Sequence, residues 1–300
     1  MYKNIKMKKK ALDINKNRLT VQDYPDMKVG FSTQDFQNAM PVDVESLTEI
    51  IEYASKEGYQ FVEVRDDLAM LKADECRLLA EVATSLDMEV IYEIHINPLY
   101  PGYEEVFARG LSNTKLFPGP GILRALVSKS EFDADASKMG WTKAELDALI
   151  KASEDSANEA KSNNIRFIVE NFNEPFFGDG SAYYGLSDFF NNTVLTGLQF
   201  DISNPFRNTS RQKANQKEVA EYLLNLKDRW LTTHFKTALD GEAQPILTEN
   251  PLSVEEVTRL MGVMNVKYLT LELMGVKDKQ QRYNNHATSV LFLKEKGILR

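Results

Sequence analysis

From residue 28 to the end of the chain, short runs rich in β-branched and aromatic residues alternate with longer stretches whose apolar positions recur every three to four residues. The runs at 28–32 (KVGFS), 60–65 (QFVEVR), 89–94 (EVIYEI), 122–128 (ILRALVS), 165–170 (IRFIVE), 197–202 (GLQFDI), 230–236 (WLTTHFK) and 267–272 (KYLTLE) read as strands. Helical spacing fills 44–57, 74–86, 103–112, 142–162, 183–192, 215–228, 253–262 and 279–296. Two of these stretches open on a capping-box spacing, Thr142 to Glu145 and Ser253 to Glu256. There a hydroxyl and a carboxylate three residues apart can satisfy the first free N–H groups of a helix.

Eight strands, each followed by a helix, predict an α/β fold, a single (β/α)8 TIM barrel over residues 27–300. Residues 1–26 read as a polar N-terminal leader. A doubly wound sheet would need fewer strands or a second domain, and no linker marks one. The longest irregular stretches are 95–103, 113–121, 129–141, 172–182 and 203–214. In this fold, long loops that follow strands cover the active face.

Four strands in a row end in a residue able to bind metal: Glu170, Asp201, His234 and Glu272. Their spacings of 31, 33 and 38 residues each match one strand–helix unit, so the four side chains return to one rim. Alternation along a strand tests the idea. If Glu170, Asp201 and Glu272 point inward, then Phe167, Val169, Leu198, Phe200, Leu269 and Leu271 point outward to the helices. For His234 the outward set is Leu231 and Thr233, a weaker fit. Ile168, Gln199, Thr232 and Thr270 then point inward. Three carboxylates and one imidazole suit one hard-to-borderline divalent ion: Mn, Mg, Co or Zn. Such an ion would polarise a substrate oxygen and acidify the neighbouring C–H, so that a glutamate can remove the proton. The same alternation turns Glu63 and Arg65, Glu93 and His95, and Arg124 inward. His95 stands at a strand end, where it can bind a hydroxyl or shuttle a proton. Arg65 and Arg124 are expected to pair with Glu63 or Glu93. His286, on the last helix, is expected to be exposed.

Composition narrows the alternatives. The net charge of −8 argues against a nucleic-acid partner, because an acidic surface repels a phosphate backbone. The single cysteine, Cys76, allows neither an internal disulfide nor a thiolate metal site, and reads as a half-buried thiol on a helix. The basic N-terminus is followed by no apolar stretch of the kind a secretory signal needs, and no run approaches the ~18 apolar residues of a membrane span. A cytoplasmic location with no membrane partner is the expectation. Phosphate loops of the G-x-x-x-x-G-K and G-x-G-x-x-G types and a G-x-S-x-G elbow are absent, so neither a nucleotide cofactor nor a serine nucleophile is supported.

The segments VENFNEPF (169–176), FDISNPF (200–206), TTHFKT (232–237) and YLTLELMG (268–275), with GYQFVEVR (58–65), resemble the metal strands of the xylose isomerase-like barrels, the sugar isomerase/epimerase superfamily. The resemblance covers about residues 28–296, and the order of the motifs carries it. It implies Glu170, Asp201, His234 and Glu272 as metal ligands. It also implies Glu170 and Glu272 as an acid–base pair on opposite faces of a carbohydrate carbon. Asn173 matches an asparagine often found three residues after the strand-five glutamate, and Lys236 matches the lysine of the family's H-x-K step. The chain departs from the pattern at Asn204, where many epimerases carry histidine, at Thr237 in place of aspartate, and at 245–253, where PILTENPLS replaces a Gly-Glu-Gly loop.

The expectation is therefore a manganese-type metal enzyme of carbohydrate metabolism, an isomerase or epimerase working through an enediolate, in a possible homo-oligomer. A lyase or dehydratase acting on a keto-sugar or keto-inositol would use the same metal and the same proton abstraction. Asn173-Glu174-Pro175 also resembles the acid/base motif of retaining glycosidase barrels, in which Glu174 and Glu272 would act about 5 Å apart. That motif belongs on strand four, here falls on strand five, and leaves Asp201 and His234 without a role. A non-catalytic sugar-binding barrel is the remaining alternative. His95, Asn173, Asn204, Lys236, Arg65 and Glu174 are the candidate substrate-binding residues.

Overall fold

The computed structural model describes residues 27–129, 140–172, 174–179, 182–206, 214–239, 242–248, 252–273 and 275–299. The leader at 1–26 and Asn173 lie outside the described residues. The strands are β1 (Lys28–Ser32), β2 (Phe61–Arg65), β3 (Glu89–Glu93), β4 (Ile122–Leu126), β5 (Arg166–Glu170), β6 (Gly197–Asp201), β7 (Trp230–Phe235) and β8 (Tyr268–Leu271). All eight pair in parallel, and β8 closes onto β1, so the sheet is a closed barrel in the order β1-β8-β7-β6-β5-β4-β3-β2. The helices are α1 (Val44–Glu57), α2 (Ala73–Ser85), α3 (Tyr103–Thr114), α4 (Lys143–Ser162), α5 (Leu186–Asn192), α6 (Gln216–Leu223), α7 (Val254–Met264) and α8 (Lys279–Glu295). Among the described residues no helix is long and apolar enough to cross a membrane.

Local chemistry sets the helix boundaries. Thr142 and Glu145 make the capping box that starts α4, and the Ser253 hydroxyl accepts the Glu256 N–H at the start of α7. The helical pattern from residue 183 begins later than its spacing suggests. Tyr184 instead exchanges two backbone hydrogen bonds with Trp141, at 2.9 and 2.8 Å, and α5 starts only after Gly185. Gly140, at φ +89°, makes that approach possible, because a Cβ there would collide with the Tyr184 carbonyl oxygen. The pattern over 215–228 divides into α6 and a short 3-10 turn at Lys227–Arg229, which lets Leu226 bury.

The barrel interior is layered. At its N-terminal end Phe61, Ile91, Ile122 and Ile168 form an apolar plug, with Leu231 and Tyr268 packed against it. One alternation further along the same strands, Glu63, Glu93, Arg124 and Glu170 replace the apolar side chains, and all four are buried. Outside the barrel, Phe167, Val169, Leu198, Phe200, Leu269 and Leu271 join the main core beneath the helices, as strand parity requires. Complete burial of each such side chain contributes roughly 1.5–3 kcal/mol.

Three expectations are corrected. Leu231 faces the inner plug, whereas Trp230 faces outward against Phe200. The register of β6 against β7 slips between Leu198 and Gln199, and this irregularity resets the alternation of β7 ahead of Thr232. His286 is buried at 1% exposure. Cys76 is fully buried on α2, and burial pushes its thiol up to about 12.

Candidate metal centre

Glu170, Asp201, His234 and Glu272 converge as their strand ends predict. One ligand atom from each lies within 4.8 Å of the others, and all four side chains are buried. Ligand atoms ~2.1 Å from one small divalent ion stand at most about 4.2 Å apart, so the group needs only a slight contraction to hold one. Nδ1 of His234 faces Glu272 Oε2 at 2.9 Å and Glu170 Oε1 at 3.2 Å.

Each of the four side chains is held from behind. Asp201 Oδ1 accepts the Ser203 N–H at 2.7 Å, the Ser203 hydroxyl at 2.9 Å and the Asn204 N–H at 2.9 Å. Its second oxygen, Oδ2, is buried and accepts no hydrogen bond. The Lys236 ammonium lies 3.0 Å from that oxygen and 2.5 Å from Glu272 Oε2. The Arg124 guanidinium pairs with Glu170 and Glu93 and donates Nε–H to Gln199 Oε1 at 2.6 Å. Nε2 of His234 lies 2.9 Å from Glu63 Oε2.

The neighbouring charges set the protonation of each group. Burial alone would raise the Glu170 carboxyl, and the Arg124 guanidinium outweighs it and lowers it. At Glu272 burial is likewise outweighed, by Lys236 and His234, and the carboxyl falls well below its usual range. At Asp201 burial prevails over Lys236, with repulsion from Glu272 and Glu170 adding to it, and the carboxyl rises. Burial opposes the charge on His234, but Glu63, Glu272 and Glu170 outweigh it and raise the ring well above its ordinary value. Glu63, lowered to about 2 by His234 against the effect of burial, stays ionised. Burial lifts Glu93 to about 8. With Glu93 protonated, the carboxylates of Glu63, Glu170, Asp201 and Glu272 are matched by the cations of Arg65, Arg124, Lys236 and the protonated His234 ring. The donor set, and the Glu170 Oε1 and Asp201 Oδ2 atoms that accept no hydrogen bond, fit a divalent ion.

The other candidates divide. Arg65 and Arg124 pair as expected: Arg65 Nε lies 3.5 Å from Glu93 Oε1, and Arg65 also binds Asp67 and Gln34. The His95 ring stands near the mouth, edge-on to Phe172 at 6.4 Å and 4.0 Å from Glu93. Burial, with Arg65 and Arg124 nearby, lowers it to about 2, so the ring is neutral. Asn204 donates its amide N–H to the Asn171 carbonyl at 2.8 Å. Glu174 turns toward the loop after β4, where its Oε1 accepts the Lys129 N–H at 2.5 Å and the Ser128 hydroxyl at 3.1 Å. Burial raises its carboxyl to about 7. Glu174 is not among the four converging groups.

Strand parity places Glu63 and Arg124 inside the barrel and pairs Arg124 with Glu93, but it gives no sign of the Glu63–His234 and Arg124–Glu170 contacts or of Gln199 as the link between Glu63 and Arg124. Strand alternation was the signal that located all three.

No protein-family model matches the sequence, and no curated protein matches it. The fold matches many solved structures. One is D-allulose 3-epimerase from Methylomonas sp., with a TM-score of 0.65 and 11% identity, covering 90% of this chain and 98% of that one. Another is L-ribulose 3-epimerase, with a TM-score of 0.67 and 11% identity, covering 90% and 94%. A third is a xylose isomerase-like TIM barrel protein from Mycobacterium smegmatis in complex with magnesium, with a TM-score of 0.66 and 14% identity, covering 90% and 97%. The chain thus has the fold of the xylose isomerase-like barrels.

Proposed function

We propose that the protein is a divalent-metal-dependent sugar isomerase or epimerase that moves a proton at the carbon next to a carbonyl. The observation that carries this reading is the convergence of Glu170, Asp201, His234 and Glu272, buried, with acceptor oxygens unsatisfied at one rim. The fold supports it, since the similar structures include epimerases of allulose and ribulose and a barrel bound to magnesium.

Glu170, Asp201, His234 and Glu272 would hold the ion. When bound, it would polarise a substrate carbonyl and acidify the adjacent C–H. The two glutamates then divide the proton work. Both lie beside Nδ1 of His234, and each is kept in its basic form by its own cation, Arg124 at Glu170 and Lys236 at Glu272. One removes the α-proton and the other returns a proton, from the opposite face in an epimerase. Lys236 would donate to a substrate oxygen as it gains charge. His95, neutral and near the mouth, would bind a substrate hydroxyl through its ring. Arg65 stands beside it.

The test is the metal content of protein purified without chelator, by plasma mass spectrometry, beside His234→Ala and Asp201→Ala. One Mn, Mg, Co or Zn per chain, lost in both variants, is expected. It is to be followed by α-proton exchange on a panel of ketoses in deuterated water. Protein that takes up no divalent ion even after incubation with Mn²⁺ would overturn the proposal.

A further inference from the structure

Glu63 stands on β2 and His234 on β7, with β1 and β8 between them, yet the two side chains meet across the barrel interior. The Glu63 carboxylate is itself immobilised. The Gln199 amide nitrogen lies 3.0 Å from both of its oxygens. That amide cannot be turned over, because its oxygen accepts the Arg124 Nε–H at 2.6 Å. Arg124 in turn pairs with Glu170. A continuous run of buried polar contacts therefore links two of the four converging residues: Glu170, Arg124, Gln199, Glu63, His234. Every member is buried.

This orientation fixes chemistry at the ring. An imidazole offers a ligand lone pair at one nitrogen only when its proton sits on the other. An ionised carboxylate has no proton to donate, so Glu63, facing Nε2, can only accept from Nε2–H. Once the ring gives up its second proton, as binding an ion requires, Nδ1, the nitrogen turned toward Glu170 and Glu272, is the one left bare.

Building on the metal reading above, we infer that Glu63 is a positioning residue: its carboxylate, aligned by Gln199 and Arg124, holds the proton of His234 on Nε2 and so presents Nδ1 to a divalent ion. Glu63 touches neither the ion nor the substrate. Its effect passes through the imidazole, as carboxylates behind metal-bound histidines act elsewhere.

The experiment uses the full-length chain and two readouts. The first is the affinity for Mn²⁺, by competition with a fluorescent chelator, in the native protein, Glu63→Gln and Glu63→Asp. The second is the ¹⁵N and ¹H signals of the His234 ring in native protein loaded with Zn²⁺, which needs no variant. The expected results are a ten- to hundred-fold loss of affinity in Glu63→Gln, a smaller loss in Glu63→Asp, and a His234 proton on Nε2 in the native protein. Affinity in Glu63→Gln within two-fold of native, or a proton on Nδ1, would overturn the inference while leaving the metal site intact. A native protein that binds neither Mn²⁺ nor Zn²⁺ overturns the metal reading itself, and this inference with it.

Discussion

His286 and Asp35 form a buried pair outside the candidate centre, with Nε2 3.0 Å from Oδ2. The imidazole lies 4.6 Å from the Phe31 ring and nearly parallel to Phe36 at 5.2 Å. The other Asp35 oxygen accepts the Leu273 N–H at 2.9 Å, one residue beyond Glu272. The pair therefore ties α8 to the loop after β1 and to the end of β8. Removing one partner leaves a buried group uncompensated, so His286→Ala should lose ~3–5 kcal/mol of stability. A double-mutant cycle with Asp35→Asn, read by urea unfolding, should return a coupling of about 1 kcal/mol or more. Strictly additive effects would show that the two side chains do not act together.

Glu272→Gln keeps the shape of the side chain and removes its basicity. It should lower the unfolding midpoint, since Lys236 and His234 lose a charged partner, yet leave the protein folded at 25 °C, and slow α-proton exchange by roughly 10²–10⁴-fold. The measurement is deuterium incorporation into the best ketose of the panel. Exchange at the native rate would take Glu272 out of the acid–base pair.

His95 should remain neutral across pH 5–8, because its ring is lowered to about 2 by burial and by Arg65 and Arg124. An unfolded histidine protonates below about 6.5. The folded ring resists that proton, so its contribution to stability is complete above pH 6.5 and declines as the pH falls below it. His95→Asn should accordingly lose less Tm than the parent between pH 7.5 and pH 5.0. A His95 ring signal titrating near 6.5 in the folded protein would contradict this.

Cys76 should be silent toward Ellman's reagent. The thiol is fully buried and raised to about 12, so almost no thiolate is present or reachable at pH 8. Prompt reaction without denaturant, at the rate seen in urea, would mean that α2 opens readily.

The barrel and its four converging side chains were legible because both depend on short-range pattern. Strand alternation sorts residues into core and lumen, and a repeat of one strand and one helix returns successive strand ends to the same rim. What stayed hidden depends on distant partners. Nothing near His286 announces Asp35, whose carboxylate comes from the other end of the chain, and α8 buries Arg282, Asn285 and Ser289 on the same face. The Glu63–His234 contact joins residues 171 positions apart. Leu231 was misplaced for a different reason. A single register slip inverts the alternation on which the inward and outward sets were built, and no local residue type marks it.

The plug of Phe61, Ile91, Ile122 and Ile168 makes the lumen a blind cup. Under the proposed sugar chemistry, substrate and product would share the one end of the lumen that the plug does not close, and a slowly released product would compete with the next substrate.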